Sequence, residues 1–147
     1  MQPHVAALLN ASLPWLSPKG RELLEALAWS HQRPVTSAWL QERLGLTSRR
    51  QLAGLLEREG LPTLREVVGW SSVLGWALEW EWKKTPLGQM ALRYGRLPGV
   101  YYRTVFRVTG LSWRELQLRG SAWVVMELLD RCRKPGEGAQ RGAERVS

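Results

Sequence analysis

The sequence is poor in the residues that most active sites need. It holds one cysteine, Cys132, one aspartate, Asp130, one phenylalanine and two histidines, His4 and His31, among 147 residues. A lone cysteine excludes an intrachain disulfide and a thiolate metal cage. So few histidines and aspartates exclude most metal sites and most Ser-His-Asp chemistry, so neither a metal nor a cofactor is expected. There is no unbroken apolar run of about 18 residues, the length a membrane-crossing helix needs. A basic segment leading into an apolar one, the mark of a signal peptide, is also missing from the N-terminus. The expectation is a soluble cytoplasmic protein that is not an enzyme.

What the chain has in excess is positive charge. Lys and Arg total 21 against 13 Asp and Glu, a net charge of +8. Residues 1–82 hold eight basic and eight acidic residues and are neutral. Residues 83–119 hold eight basic residues against Glu115 alone, a net of +7, and residues 120–147 add +1. A basic segment that also carries apolar residues at helical spacing is an electrostatic footprint for a polyanion. An acidic protein partner has the same signature. With 44% hydrophobic residues the chain has the material for a core.

Periodicity predicts helices and no strands. Pro18 opens a helix to about His31, with Leu23, Leu24, Leu27 and Ala28 on one face. Thr36 or Ser37 caps the next, which carries Trp39, Leu40 and Leu44 and stops at Gly45. A helix over about 48–59 follows, with Leu52, Leu55 and Leu56 as its apolar line. Residues 63–84 form the longest helix and are apolar around much of the circumference, which predicts burial on several sides. Gly69 and Gly75 within it permit close packing. A helix from Thr85-Pro86 to Tyr94 comes next, then one over about 98–109 with Tyr102, Val105 and Phe106 as its apolar line. Ser112 caps a further helix, and the run Trp123 to Leu129 gives the last. Of nine tryptophans, Trp39, Trp76 and Trp80 are expected in the core, and Trp82 and Trp123 are candidates for facing a partner.

Self-comparison reveals a repeat at an offset of 50 residues. Gly45 matches Gly95, Gly60 matches Gly110, Leu40 matches Met90 and Arg43 matches Arg93. Between them Leu52, Leu55 and Leu56 match Tyr102, Val105 and Phe106, and Leu61 matches Leu111. Each copy reads as helix, Gly turn, helix, Gly stop, the helix-turn-helix pattern.

On these residues the chain resembles the DNA-binding domain of AraC-type transcription regulators. The second copy carries the best match, Met90-Ala91-Leu92-Arg93-Tyr94-Gly95, then Tyr102, Phe106 and Thr109-Gly110-Leu111-Ser112. The segment Leu44-Gly45-Leu46-Thr47-Ser48-Arg49-Arg50-Gln51-Leu52 supplies the first. Trp113 and Arg96 stand where the family usually has Pro and Phe, and the helix between Phe106 and Gly110 is one residue short of the pattern. No ligand-sensing domain accompanies the pair. The resemblance implies an all-α fold of two helix-turn-helix subdomains, 19–62 and 85–132, joined by a linker helix at 63–84. An N-terminal extension of 1–18 and a disordered tail of 133–147 flank them. It further implies a stand-alone regulator on the nucleoid that reads double-stranded DNA, with a monomer sufficient to cover two groove segments.

On the first recognition helix, Arg49, Arg50 and Gln51 are the candidates for base contact, with Ser48 beside them. Arg pairs bidentately with guanine, and Gln with adenine. On the second, Arg103 and Thr104 are placed for bases, Arg96 and Arg107 for phosphates, and Tyr101 at the edge. Ala53 and Gly54 occupy positions where long polar readers are expected. Two rival functions therefore stand beside DNA reading: a helical protein–protein adaptor and a sequence-tolerant nucleic-acid binder. Enzymatic candidates are weak. Glu79 and Glu81 point to different sides of a helix, His31 suits a helix C-terminus, and Cys132 between Arg131 and Arg133 is either an activated or an inert thiol.

Overall fold

The computed structural model describes residues 2–133, in which the chain is all-α. Nine helices run in order among them: α1 Gln2–Ser12, α2 Pro18–Leu27, α3 Ser37–Leu44, α4 Arg49–Arg58, α5 Leu64–Lys83, α6 Leu87–Arg93, α7 Pro98–Thr109, α8 Trp113–Arg119 and α9 Ser121–Arg131. The disorder expected of 133–147 falls, Arg133 apart, outside the described residues. None of these helices is long and apolar enough to cross a membrane.

Local signals set most boundaries. Ser17, Thr36, Ser48, Thr63 and Ser112 cap α2, α3, α4, α5 and α8, each accepting the backbone N–H three residues on. At α8 the Glu115 carboxylate returns the bond to Ser112 N–H at 3.2 Å, completing a capping box. The Ser112 backbone N–H and hydroxyl, with Arg119 nearby, hold the Glu115 carboxyl below its usual range. Helix α2 ends four residues earlier than periodicity suggests, at Leu27. The chain then turns through Trp29 to Arg33, and His31 lies inside the core rather than at a helix end.

The long helix α5 is the axis of the packing. Every residue from Gly69 to Glu79 is buried, and the helix contacts α1, α2, α6, α7, α8 and α9. Its two glycines are where neighbours come closest. A Cβ on Gly69 would stand 2.7 Å from Val108 Cγ2 of α7, and one on Gly75 would meet the His31 ring, 2.6 Å from Nδ1. The core is one cluster, drawn from both halves of the chain. Among the expected core tryptophans Trp76 is buried, whereas Trp39 and Trp80 are half-buried. Cations lie over both: Arg33 and Arg43 over the Trp39 ring at 4.9 and 5.3 Å, Lys84 over Trp80 at 5.3 Å.

Buried carboxylates tie elements together. Glu59 accepts bonds from Ser17 N–H at 3.0 Å and from the Ser17 hydroxyl, at the N-terminus of α2. Glu79 accepts from Tyr94 Oη at 2.9 Å and Arg93 Nη1 at 3.3 Å. Burial and that carboxylate together push the Tyr94 phenol up. Glu81 turns the other way and receives Ser121 N–H and Oγ, both at 2.7 Å, at the start of α9. Glu79 and Glu81 do face different sides of α5, and both are fasteners.

Candidate nucleic-acid interface

The 50-residue repeat is present in the backbone hydrogen bonds. Leu46 N–H bonds to Gln41 C=O and Arg96 N–H to Ala91 C=O, each at 2.7 Å. Gly45 and Gly95 bond to Glu42 and Leu92 at 3.3 and 3.1 Å. Both glycines take the left-handed conformation that this helix stop requires, with φ of 68° and 73°. Helices α3 and α4 pack on each other, as do α6 and α7.

After these matched turns the copies diverge by one residue. Helix α4 starts after the N-cap Ser48, but α7 starts after Leu97, the counterpart of Thr47. Pro98 is the cause: with φ fixed and no N–H to leave unpaired, it suits a first helical position. Counted from their caps, Leu52 and Leu56 of α4 align with Tyr101 and Val105 of α7. Both pairs are buried. The apolar line of α7 is therefore Tyr101 and Val105, with Val108 packed against the core. The expected line through Tyr102 and Phe106 is corrected: these side chains are 46% and 65% exposed. The missing residue between Phe106 and Gly110 is the same one-residue slip.

Tyr101 is consequently removed from the candidate surface. It is 5% exposed, its ring stacks on Trp76 with centroids 4.1 Å apart, and its hydroxyl donates to His31 C=O at 3.3 Å. Burial pushes its phenol up to about 12.

The other candidates lie at or near the surface. Arg49, Arg50 and Gln51 are exposed along the first turn of α4. Ser48 is occupied as the cap, and the Gln51 carbonyl oxygen accepts Thr47 N–H at 2.7 Å and Oγ1 at 3.1 Å. The Gln51 side chain is thus held by the turn, with its amide nitrogen left over for a base edge. On α7, Arg103 and Arg107 are exposed, as is Arg96 in the turn before it. Thr104 is half-buried and donates back to Val100 C=O at 2.8 Å, so its hydroxyl proton is committed to its own helix.

Among the described residues the ion pairs within 4 Å are Lys19–Glu22, Arg93–Glu79 and Arg131–Glu127. None involves Arg49, Arg50, Arg96, Arg103 or Arg107. Several other cations lie on aromatic rings, as Lys84 does on Trp80 and Arg119 on Trp123 at 5.5 Å. Among the described residues these exposed arginines of α4 and α7 form no ion pair within 4 Å.

The sequence reading missed a second property of this face. Leu97 (73% exposed), Val100, Tyr102 and Phe106 interleave with Arg103 and Arg107 along one exposed side of α7. The signal was Pro98, which fixes the start of the helix and hence its rotation. Of the tryptophans flagged as partner-facing, Trp82 is exposed and lies against His4, with ring centroids 4.6 Å apart. Trp123 is half-buried and packs on Trp70 at 6.1 Å.

The weak enzymatic candidates resolve. Burial pushes the half-buried Cys132 thiol up to about 11, opposite to activation by its arginine neighbours. Burial lowers His31 to about 4, so its ring is neutral at pH 7. Its carbonyl, meanwhile, accepts the Trp76 indole N–H at 2.8 Å. No family model matches this chain, and no curated protein or solved structure is similar to it, so the likeness to AraC-type domains rests on the residues themselves.

Proposed function

We propose that the chain is an AraC-like DNA-binding protein that lays α4 and α7 in neighbouring major-groove segments of double-stranded DNA. One observation carries the reading. Arg49 and Arg50 on the second helix of one unit, and Arg96, Arg103 and Arg107 on and before that of the other, are exposed and have no acidic partner among the described residues. In this reading Arg50 and Arg103 meet base edges, and Arg96 and Arg107 meet phosphates. Tyr102 and Phe106 join them as apolar contacts for thymine methyl groups. One chain carries both units, so a monomer suffices. The role is transcription regulation, with the protein located on the chromosomal DNA, and no catalysis is assigned to it.

Selection from a random duplex pool, with a salt titration, tests this. The expected result is a motif of two short blocks about one helical turn apart, lost in Arg50→Ala and Arg103→Ala. If about six phosphates are neutralised, log K falls against log salt with a slope of about −5. Salt-dependent binding without a motif makes the protein a sequence-tolerant binder. Absence of binding at low salt sinks the proposal.

The apolar side chains on α7 favour a second reading, a protein–protein adaptor, because exposed apolar groups in contiguous patches mark interfaces. Phe106→Ser separates the two. It lowers duplex affinity by about tenfold or less if Phe106 sits beside a thymine, and leaves duplex binding unchanged if the face belongs to a protein.

A further inference from the structure

A cleft of about 260 Å³ opens between the two units, walled by the turn after α2, by α5, and by α7 with the residues before it. Arg33, Arg96 and Arg107 line it from three separate segments. Among the described residues no Asp or Glu lines it. Like charges gathered around a concave, acid-free site repel one another, and an anion relieves that repulsion. Arg33 is steadied by the Trp39 ring, 4.9 Å from its guanidinium carbon. The stacked pair Trp76 and Tyr101 also lines the cleft.

Ser30 also lines the cleft; its hydroxyl is buried and has no hydrogen-bond partner among the described residues.

We propose that this cleft binds a phosphoryl group, clamped by Arg33, Arg96 and Arg107. All three cations are arginine, whose planar fork matches phosphate oxygens two at a time. The group comes either from a small phosphorylated molecule or from a nucleic-acid backbone. Arg33 lies on neither recognition helix, so the site goes beyond the duplex reading and stands without it.

The test is calorimetric titration of the full chain with inorganic phosphate, against sodium chloride at matched ionic strength. Saturable one-to-one binding is expected, weakened about tenfold in each of Arg33→Gln, Arg96→Gln and Arg107→Gln. Those side chains are exposed, so the variants keep their fold, which unchanged melting temperatures confirm. Arg114→Gln, exposed and outside the cleft, binds phosphate as the parent does. Heat no greater than that of chloride overturns the proposal, as does phosphate affinity indifferent to all three cleft substitutions. The same variants titrated with a duplex of about 20 base pairs identify the source. Weaker duplex binding by Arg33→Gln assigns the site to a backbone phosphate, and unchanged duplex binding assigns it to a free phosphorylated ligand. A parent that binds phosphate but no duplex refutes the proposed function and leaves this site standing.

Discussion

The same substitution, glycine to alanine inside a helix, is expected to have opposite signs at two positions. Gly54 lies in α4 with nothing within 4 Å of where a Cβ would stand. Alanine there adds only helix propensity, about 0.5–1 kcal/mol. For a chain of this size that raises the melting temperature by roughly 2–4 °C. Gly75 lies in α5, and its Cβ would be 2.6 Å from His31 Nδ1. The His31 ring is itself fully buried, so it has no free space to enter. Overpacking of this kind costs about 1–3 kcal/mol, which outweighs the propensity gain. The shift also pulls at the His31 carbonyl, which anchors Trp76 and Tyr101. The net expectation is a loss of about 1–2 kcal/mol and a melting temperature lower by roughly 3–8 °C. Thermal melts and urea titrations of the two single variants measure both. If Gly75→Ala proves as stable as the parent, the contact between α5 and the turn after α2 is not as tight as described. If Gly54→Ala destabilises, α4 is not an open helix.

Two further outcomes follow from buried ionisable groups. Burial lowers His31 to about 4, against about 6.5 in the unfolded chain. The unfolded state therefore binds the proton first as pH falls. The stability linked to this group is complete above pH about 6.5 and declines towards pH 4, by on the order of 3 kcal/mol. Melting temperatures of the parent and His31→Phe, compared from pH 7.5 to 4.5, isolate it. A parallel decline in both proteins contradicts the assignment. With its thiol pushed up to about 11, Cys132 reacts with a disulfide reagent at pH 8 at least about tenfold more slowly when folded than in denaturant. Equal rates would mean that the side chain is accessible.

The elements were readable because their signals are local. Caps such as Thr36, Ser48 and Ser112, the stop at Gly45 and Pro98 at a helix start each act within one turn of chain. The burial of α5 was readable from its apolar circumference. The rotation of α7 was not read correctly, because self-comparison aligned the two copies on their glycines. The chemistry that sets rotation is the N-cap, and Pro98 places it one residue earlier than Ser48 does in the first copy. That slip moved Tyr101 inward and Tyr102 and Phe106 outward. The positions of Arg49, Arg50, Arg103 and Arg107 on the surface survived it, since charge keeps them in water whatever the register. Arg33 and Ser30 were out of reach for a different reason. Their neighbours Arg96, Trp76 and Arg107 lie more than 40 positions away along the chain, and only tertiary packing joins them.

The carbonyl oxygen of His31 receives Trp76 from 45 residues away and Tyr101 from 70 away. One acceptor therefore joins the first unit, the central helix and the second unit at a point sealed from solvent. The repeat suggests two independent modules, yet the buried donors of Trp76 and Tyr101 are satisfied only by a carbonyl of the first. Unfolding is then all-or-none across the boundary between them: one calorimetric peak, with matching van't Hoff and calorimetric enthalpies. Amide hydrogens in the cores of both halves should exchange through the same global opening, at the same free energy. Through one peptide group, segments far apart in the chain become a single cooperative body.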